Sequence, residues 1–441
     1  MRETLIPISE FAQRRQRFLA QMQDNSIAFF AANTLATRSN DTEYLFCQDK
    51  TFYYLTGFNE PDAVLVLVKS ATPESILFCL PKDPQAEVWH GRRVGEQQAK
   101  SQYLFDQTAS VEQLEQMAPE LIANKSALYY CYGAHQPLEL QIFQWLTKVK
   151  AQSRLGISAP KSLIDCQAML DEMRLFKSDA ELDVMRQVNI ISGKAHQRAM
   201  EKTHPEMFEY QIEAELLHEF ARHGARHAAY NSIVAGGDNA NILHYTDNSE
   251  PLNHGDLLLI DAGGELAGYA ADITRTFPVS GQFSQPQKAL YQLVLDAQQQ
   301  CIDAIKPGQT LAALNELCNQ VLTKGLLALG ILQGDLEQLM AEKACKKYFI
   351  HGLGHWLGLD VHDVGDYQVN DRQQLRPFEP GMVMTIEPGL YFPLTDDSVE
   401  EKWRGIGIRI EDNVLVTDQG HENLTVNAPK SIAEIEALMA G

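Results

Sequence analysis

DLLLIDAGGELAGYAADITRTFPVSG, residues 256–281, decides how the chain is read. An apolar run ends at Asp261, a glycine-rich turn follows at Gly263 and Gly264, and a second strand-like stretch carries Asp272. This order predicts a β-hairpin that presents both carboxylates at one place. Toward the C-terminus the chain adds three more side chains of the metal-ligand type. His355 lies in HGLGHWLGLDVHD (351–363), Glu387 in MVMTIEPGLYF (382–392) just before a Pro-Gly turn, and Glu411 at the end of the strand-like GIGIRIE (405–411). A single Asp or Glu at a strand end is ordinarily a turn former or a solvated charge. Taken together, in this order, these residues imply a shared site.

The residue types indicate what such a site holds. Two divalent cations about 3.5–4 Å apart repel each other, so a paired site needs anionic oxygens that bridge and neutralise them. Carboxylates do this and imidazole does not. Four carboxylates against two dications leave room for one hydroxide, available as a nucleophile near neutral pH. The implied chemistry is two-metal hydrolysis. An oxygen-rich set with one imidazole and no thiolate suits Mn²⁺, Co²⁺ or Fe²⁺ at least as well as Zn²⁺, which leaves the metal open.

His351 and His355 have the i, i+4 spacing of a helical zinc site, but Gly352 and Gly354 disfavour a helix and the HExxH pattern is absent. Both read as strand or loop residues. His244 in NILHYTDN and His362 in LDVHDVG are equally ordinary histidines or site residues on local grounds. Arg409, two residues before Glu411, projects to the same strand face and either orients the ligands or is a surface arginine.

Composition sets outer limits. With 441 residues, 45% hydrophobic and 22% charged, the chain can bury a large core and divides naturally into two domains. A formal charge of −21 argues against a nucleic acid or an anionic membrane as partner and points to a neutral or amine-bearing substrate. Seven widely spaced cysteines without a CxxC pair argue against a disulfide framework or a thiolate zinc site, so a reducing cytoplasm fits best. Glu3, Glu10, Arg14, Arg15 and Arg17 leave no apolar signal-peptide core, and no stretch approaches membrane-spanning length.

The first part of the chain alternates two kinds of segment. SIAFFAAN (26–33), FYYLTGF (52–58), AVLVLVKS (63–70), SILFCL (75–80) and SALYYCYG (126–133) read as strands, being short, apolar and rich in β-branched or aromatic residues. VEQLEQMAPELIAN (111–124) and LELQIFQWLTKVKAQ (138–152) show helical spacing, giving an α/β domain over residues 1–174. Ser178 and Glu181 form a capping-box pattern ahead of Leu182, Met185, Val188 and Ile191, so a long helix opens a second domain, residues 175–441. Helices to about residue 225, a hairpin, helices over roughly 284–345 and final strands make it α+β, with strand–helix–strand halves that suggest an internal two-fold.

NILHY (241–245), the 256–281 segment, HGLGHWLGLDVHD, TIEPGLY (385–391) and GIGIRIEDNVLVT (405–417) together resemble the metallopeptidase family with the pita-bread fold, in its bacterial aminopeptidase P branch. YLTGFNEPDAVLVLV (54–68) and EVWHGRRVG (87–95) resemble that branch's N-terminal domain, so the likeness spans nearly the whole chain. The resemblance implies one metal on Asp272, His355, Glu387 and Glu411 and another on Asp261, Asp272 and Glu411, most simply two Mn²⁺. It implies cleavage of peptides with proline in second position: the substrate amine binds at the Asp261 metal, the shared hydroxide attacks, and Glu387 shuttles a proton. His362 and His244 position the scissile group, His351 lines the proline side, and Trp89 and Arg154 close the pocket, in a homo-oligomer. Prolidase shares the ligand set and creatinase shares the fold without using the metals. A non-enzymatic relative with the same fold is the remaining alternative, and the intact ligand set speaks against it.

Overall fold

The computed structural model describes residues 5–441 and divides into two compact units, Met1–Arg174 and Leu175–Gly441. The N-terminal unit is built on one six-stranded mixed sheet, in the order Gln107–Ser110, Glu74–Cys79, Val64–Lys69, Ser26–Ala31, Ala127–Tyr130, Ser162–Asp165. Val64–Lys69 pairs antiparallel with both neighbours, whereas Ala127–Tyr130 pairs parallel with both of its own. Val64, Val66, Phe29 and Leu128 pack with Ile142 and Trp145 of helix Gln136–Lys150 and with Ile122 of helix Leu114–Ile122. The central strands are apolar throughout because both faces are covered.

FYYLTGF corrects the sequence reading, for it belongs to a helix, Lys50–Thr56. Its aromatic content suggests a strand, but Asp49 caps the helix by accepting from the Phe52 amide, and Gly57 at φ +64° ends it. These local signals outweigh β propensity.

In the C-terminal unit the Ser178/Glu181 capping box starts helix Asp179–Lys202, which packs on helix Glu209–Arg222. The strands that follow are β1 (Ile233–Gly236), β2 (Leu257–Asp261), β3 (Gly264–Leu266), β4 (Tyr269–Ala270) and β5 (Thr274–Pro278). Helices Gln285–Asp303 and Leu311–Ala328 form a second packed pair. After them come β6 (Val383–Ile386), β7 (Gly389–Phe392), β8 (Ile406–Arg409), β9 (Asp412–Thr417) and β10 (Gly420–Asn423). Two packed helices followed by antiparallel strands thus occur twice. β2 lies between β1 and β5, β9 lies between β6 and β10, and β7 pairs with β8. The halves are stitched where the Glu411 amide donates to the Thr274 carbonyl (3.0 Å) and the Thr276 hydroxyl to the Arg409 carbonyl (2.9 Å). Among the described residues no helix is long and apolar enough to cross a membrane.

Candidate metal centre and active site

Each half delivers its carboxylates at strand ends. Asp261 is the last residue of β2, opposite Thr274 of β5, while the chain between them folds into the small β3–β4 hairpin. Asp272 therefore sits two residues ahead of β5, in the return of the ribbon and not within a strand as the hairpin reading has it. Gly263 makes the return possible, because a Cβ there would lie 1.8 Å from the Ala271 carbonyl oxygen. Glu411 occupies the step between β8 and β9, with its Oε2 receiving the Thr274 hydroxyl at 2.7 Å. The loop bearing His355 runs beside β6, with Thr385 N donating to His355 O (2.9 Å) and Glu387 N to Leu353 O (2.8 Å). Gly354 allows that approach, since a Cβ would lie 2.0 Å from the Thr385 carbonyl oxygen.

Donor atoms from Asp272, His355 and Glu411 all lie within 4.8 Å of one another, a group able to hold a metal ion. His355 Nε2 is 3.4 Å from Asp272 Oδ2 and 3.6 Å from Glu387 Oε1. Its Nδ1 meets the Trp356 carbonyl at 2.9 Å, which keeps a proton on Nδ1, so Nε2 is the nitrogen that would give up its proton to take a cation. The Tyr230 hydroxyl lies between Asp261 Oδ1 (2.6 Å) and Asp272 Oδ1 (2.5 Å). Arg409 donates to Asp261 Oδ2 (2.6 Å), to the Thr274 hydroxyl (3.1 Å) and to the Tyr391 hydroxyl (3.0 Å). Tyr391 in turn meets His351 Nε2 at 2.8 Å, and His351 Nδ1 meets the Gly352 carbonyl at 2.7 Å.

The electrostatics of the cluster are unbalanced. Burial, then repulsion from Asp272, Glu387 and Asp261, pushes the Glu411 carboxyl well above the usual range. Burial also raises Asp261 against the pull of Arg409, and raises Glu387 to about 7 against His355 and Arg409. Asp272 moves the other way: burial alone would raise it, but the hydrogen bond and charge of His355, with the hydrogen bond from Tyr230, together more than reverse this. His355 is held up to about 9, its own burial overcome by Asp272 and Glu387. Four clustered carboxylates share one arginine and one imidazole, and divalent cations would make up the shortfall of positive charge. An oxygen-rich donor set with one imidazole fits such ions.

A cavity of about 230 Å³ opens over this cluster, its wall including Leu243, His244, His351, His362 and Arg409. The His362 ring stands 4.0 Å from that of His355, and burial, then His355, lowers its pKa, favouring neutral imidazole. His351 is likewise neutral, lowered to about 3 by burial and then by Arg409. Trp89 and Arg154 belong to the N-terminal unit, where both are exposed, Trp89 to 83%. Neither is among the side chains that line this cavity.

The structure adds polar groups the sequence reading lacks. Thr385 accepts from the His355 amide (3.0 Å) and donates to Glu387 Oε1 (3.3 Å). Strand alternation places Thr385 on the face of Glu387, so this residue was open to inference. Tyr230 stands 31 residues before Asp261 with no local signal of its role.

Residues 183–418 match the model of metallopeptidase family M24, and residues 11–130 match the aminopeptidase P N-terminal domain. The chain is 48% identical to the Xaa-Pro aminopeptidase of Haemophilus influenzae, over 98% of each protein. It is 46% identical to the Xaa-Pro aminopeptidase of Escherichia coli, over 98% of this chain and 97% of the other. Among solved structures, zinc-substituted E. coli aminopeptidase P in complex with product aligns with a TM-score of 0.96 at 45% identity, covering 99% of this chain and 98% of that one. Aminopeptidase PepP of Pseudomonas aeruginosa aligns with a TM-score of 0.97 at 46% identity, over the same shares. With its two domains matched in order and its acidic cluster in the matched catalytic part, the chain belongs to metallopeptidase family M24, in the aminopeptidase P branch.

Proposed function

We propose that this chain is an aminopeptidase that releases the N-terminal residue from peptides with proline in second position. The carrying observation is the Asp272–His355–Glu411 cluster beneath a cavity, in a chain similar over nearly its full length to enzymes named Xaa-Pro aminopeptidase. Two divalent ions, Mn²⁺ first and Co²⁺, Fe²⁺ or Zn²⁺ as substitutes, would be held by Asp261, Asp272, His355, Glu387 and Glu411, with Asp272 and Glu411 serving both. Bound there, such ions act as Lewis acids and bring a water to near-neutral acidity.

The protein's own groups do the rest. Asp261, held by Arg409 and Tyr230, marks the end of the cavity that takes the substrate amine. Glu387, with Oε1 3.6 Å from His355 and Oε2 3.8 Å from His351, takes the proton from the attacking water and returns it to the leaving proline nitrogen. His362 and His244, on the cavity wall, hold the scissile carbonyl, and His351 borders the proline side. An X–Pro bond lacks an N–H and fixes φ, so recognition rests on such a cavity and not on extended backbone pairing.

In a homo-oligomer, dimer or tetramer, Trp89 and Arg154 are assigned to closing the pocket, and the exposure of Trp89 supports a role in contact. The net charge of −21 supports peptide substrates over nucleic acid or membrane, and the widely spaced cysteines support the cytoplasm. Incubation with Arg-Pro-Pro, its N-acetylated form and Arg-Pro tests the reading by free arginine. Arginine is expected from the tripeptide and none from the acetylated form. Strong release from Arg-Pro with none from Arg-Pro-Pro would make the enzyme a prolidase instead.

A further inference from the structure

Outside the catalytic unit, one pair of reactive side chains is brought together by the N-terminal sheet. Strands Ala127–Tyr130 and Ser162–Asp165 run parallel, with Tyr130 opposite Asp165. Cys131 and Cys166 are the next residues of each, and the Cys166 amide donates to the Tyr130 carbonyl at 3.2 Å. Their sulfurs stand 3.7 Å apart. Neighbouring strands lie about 4.8 Å apart, and disulfides tolerate Cα separations of about 4.4–6.8 Å, so side-chain rotation alone can close this gap to a bond.

Access is asymmetric. Cys166 is buried and Cys131 is partly exposed. Cys131 also lines a cavity of about 40 Å³ with Ala134, His135 and Gln167, where a single water needs roughly 10–15 Å³, so the space admits a peroxide. The contact with Cys131, then burial, pushes the Cys166 thiol up, leaving the outer sulfur to react first. Cys79, Cys301, Cys318 and Cys345 are buried, and Cys47, though exposed, lies elsewhere in the chain.

We propose that Cys131 and Cys166 form a site of reversible oxidation by small hydroperoxides, closing to an intramolecular disulfide. In the first step the Cys131 thiol attacks the peroxide O–O bond, giving Cys131 sulfenic acid and releasing one water from H₂O₂. In the second, the Cys166 sulfur attacks the Cys131 sulfur, and the thiol proton departs with the sulfenic hydroxyl as a second water. Two thiols are oxidised and one peroxide is reduced. Cys166 precedes helix Gln167–Leu175, so the bond fastens the last strand of the sheet at the point where the chain leaves it.

The full-length protein is treated with stoichiometric H₂O₂, unfolded in iodoacetamide, digested without reductant and analysed by mass spectrometry. A peptide joining Cys131 to Cys166, abolished by dithiothreitol, is expected as the main product, with the other five cysteines alkylated. In Cys166→Ser, Cys131 sulfenic acid should persist and be trapped by dimedone, whereas wild type should give little adduct. Overoxidation of Cys131 without the joined peptide would overturn the proposal. So would dimedone trapping that is equal in wild type and variant, or cross-linking chiefly between chains through Cys47.

Discussion

Arg275 of β5 and Arg409 of β8 are both buried, yet they meet opposite surroundings. Arg275 donates to Asp412 Oδ1 (2.7 Å), to the Glu411 carbonyl (2.6 Å) and to the Ala428 carbonyl (3.0 Å). Lys430 adds a second cation to Asp412 at 2.6 Å, so this carboxylate has more than one counter-charge. Among the described residues Arg409 is the one arginine that lines the cavity with Asp261, Asp272, Glu387 and Glu411. Glu411 and Asp412 are consecutive, and the chain turns one toward each arginine. One side is a complete network that holds the fold. The other is deficient in positive charge, and that deficiency is its capacity to bind ions.

The sharpest way to break this contrast is to remove the two carboxylates assigned to serve both ions. Asp272→Ala and Glu411→Ala should each cost more than the roughly 10–100-fold typical of a change outside the ligand set, with metal content falling in parallel. Chelation of the native protein should reproduce the loss, and Mn²⁺ or Co²⁺ should reverse it. Either variant retaining its metal and activity within roughly tenfold of native would refute the assignment.

Arg275→Met should act on stability instead. Removing one partner of a buried ion pair costs about 3–5 kcal/mol, read by urea denaturation, while metal content per folded molecule stays unchanged. Acid sharpens the test. Burial alone would raise the Asp412 carboxyl, but Arg275 and Lys430 more than reverse this and hold it well below the usual range. Its stabilisation is therefore present above the unfolded value of about 3.9 and lost as pH falls below it. The variant should lose less stability than native over that acid window. An equal acid dependence would mean that Arg275 does not set the Asp412 carboxyl.

The smallest expected effects lie around the ligands. Arg409→Ala and His362→Ala should lower kcat by about 10–100-fold with metal retained, while His355→Ala should lose metal. Metal stoichiometry separates the groups, and loss of metal in His362→Ala would move that residue into the ligand set.

What could be read from the chain follows from the kind of signal each feature leaves. Carboxylates at strand ends and one imidazole announce a metal site by chemistry, and the Ser178/Glu181 box announces a helix start by spacing. FYYLTGF misleads because its aromatics suit a strand while Asp49 and Gly57 enclose a helical turn. Strands Gln107–Ser110 and Ser162–Asp165 carry little apolar pattern, since each lies at an edge of the sheet and is not fully buried. Tyr230 and Tyr391 reach the site through long-range packing, and their spacing to Asp261 or His351 follows no periodicity.

Gly263 and Gly354 flank the site, one under each half, and neither offers an atom to an ion. A single methyl group at either would collide with a carbonyl oxygen of the neighbouring segment. In any survey of inactivating changes, the site will look larger than its set of donors. Some of the positions most essential for assembling it are those where the chain carries no side chain at all.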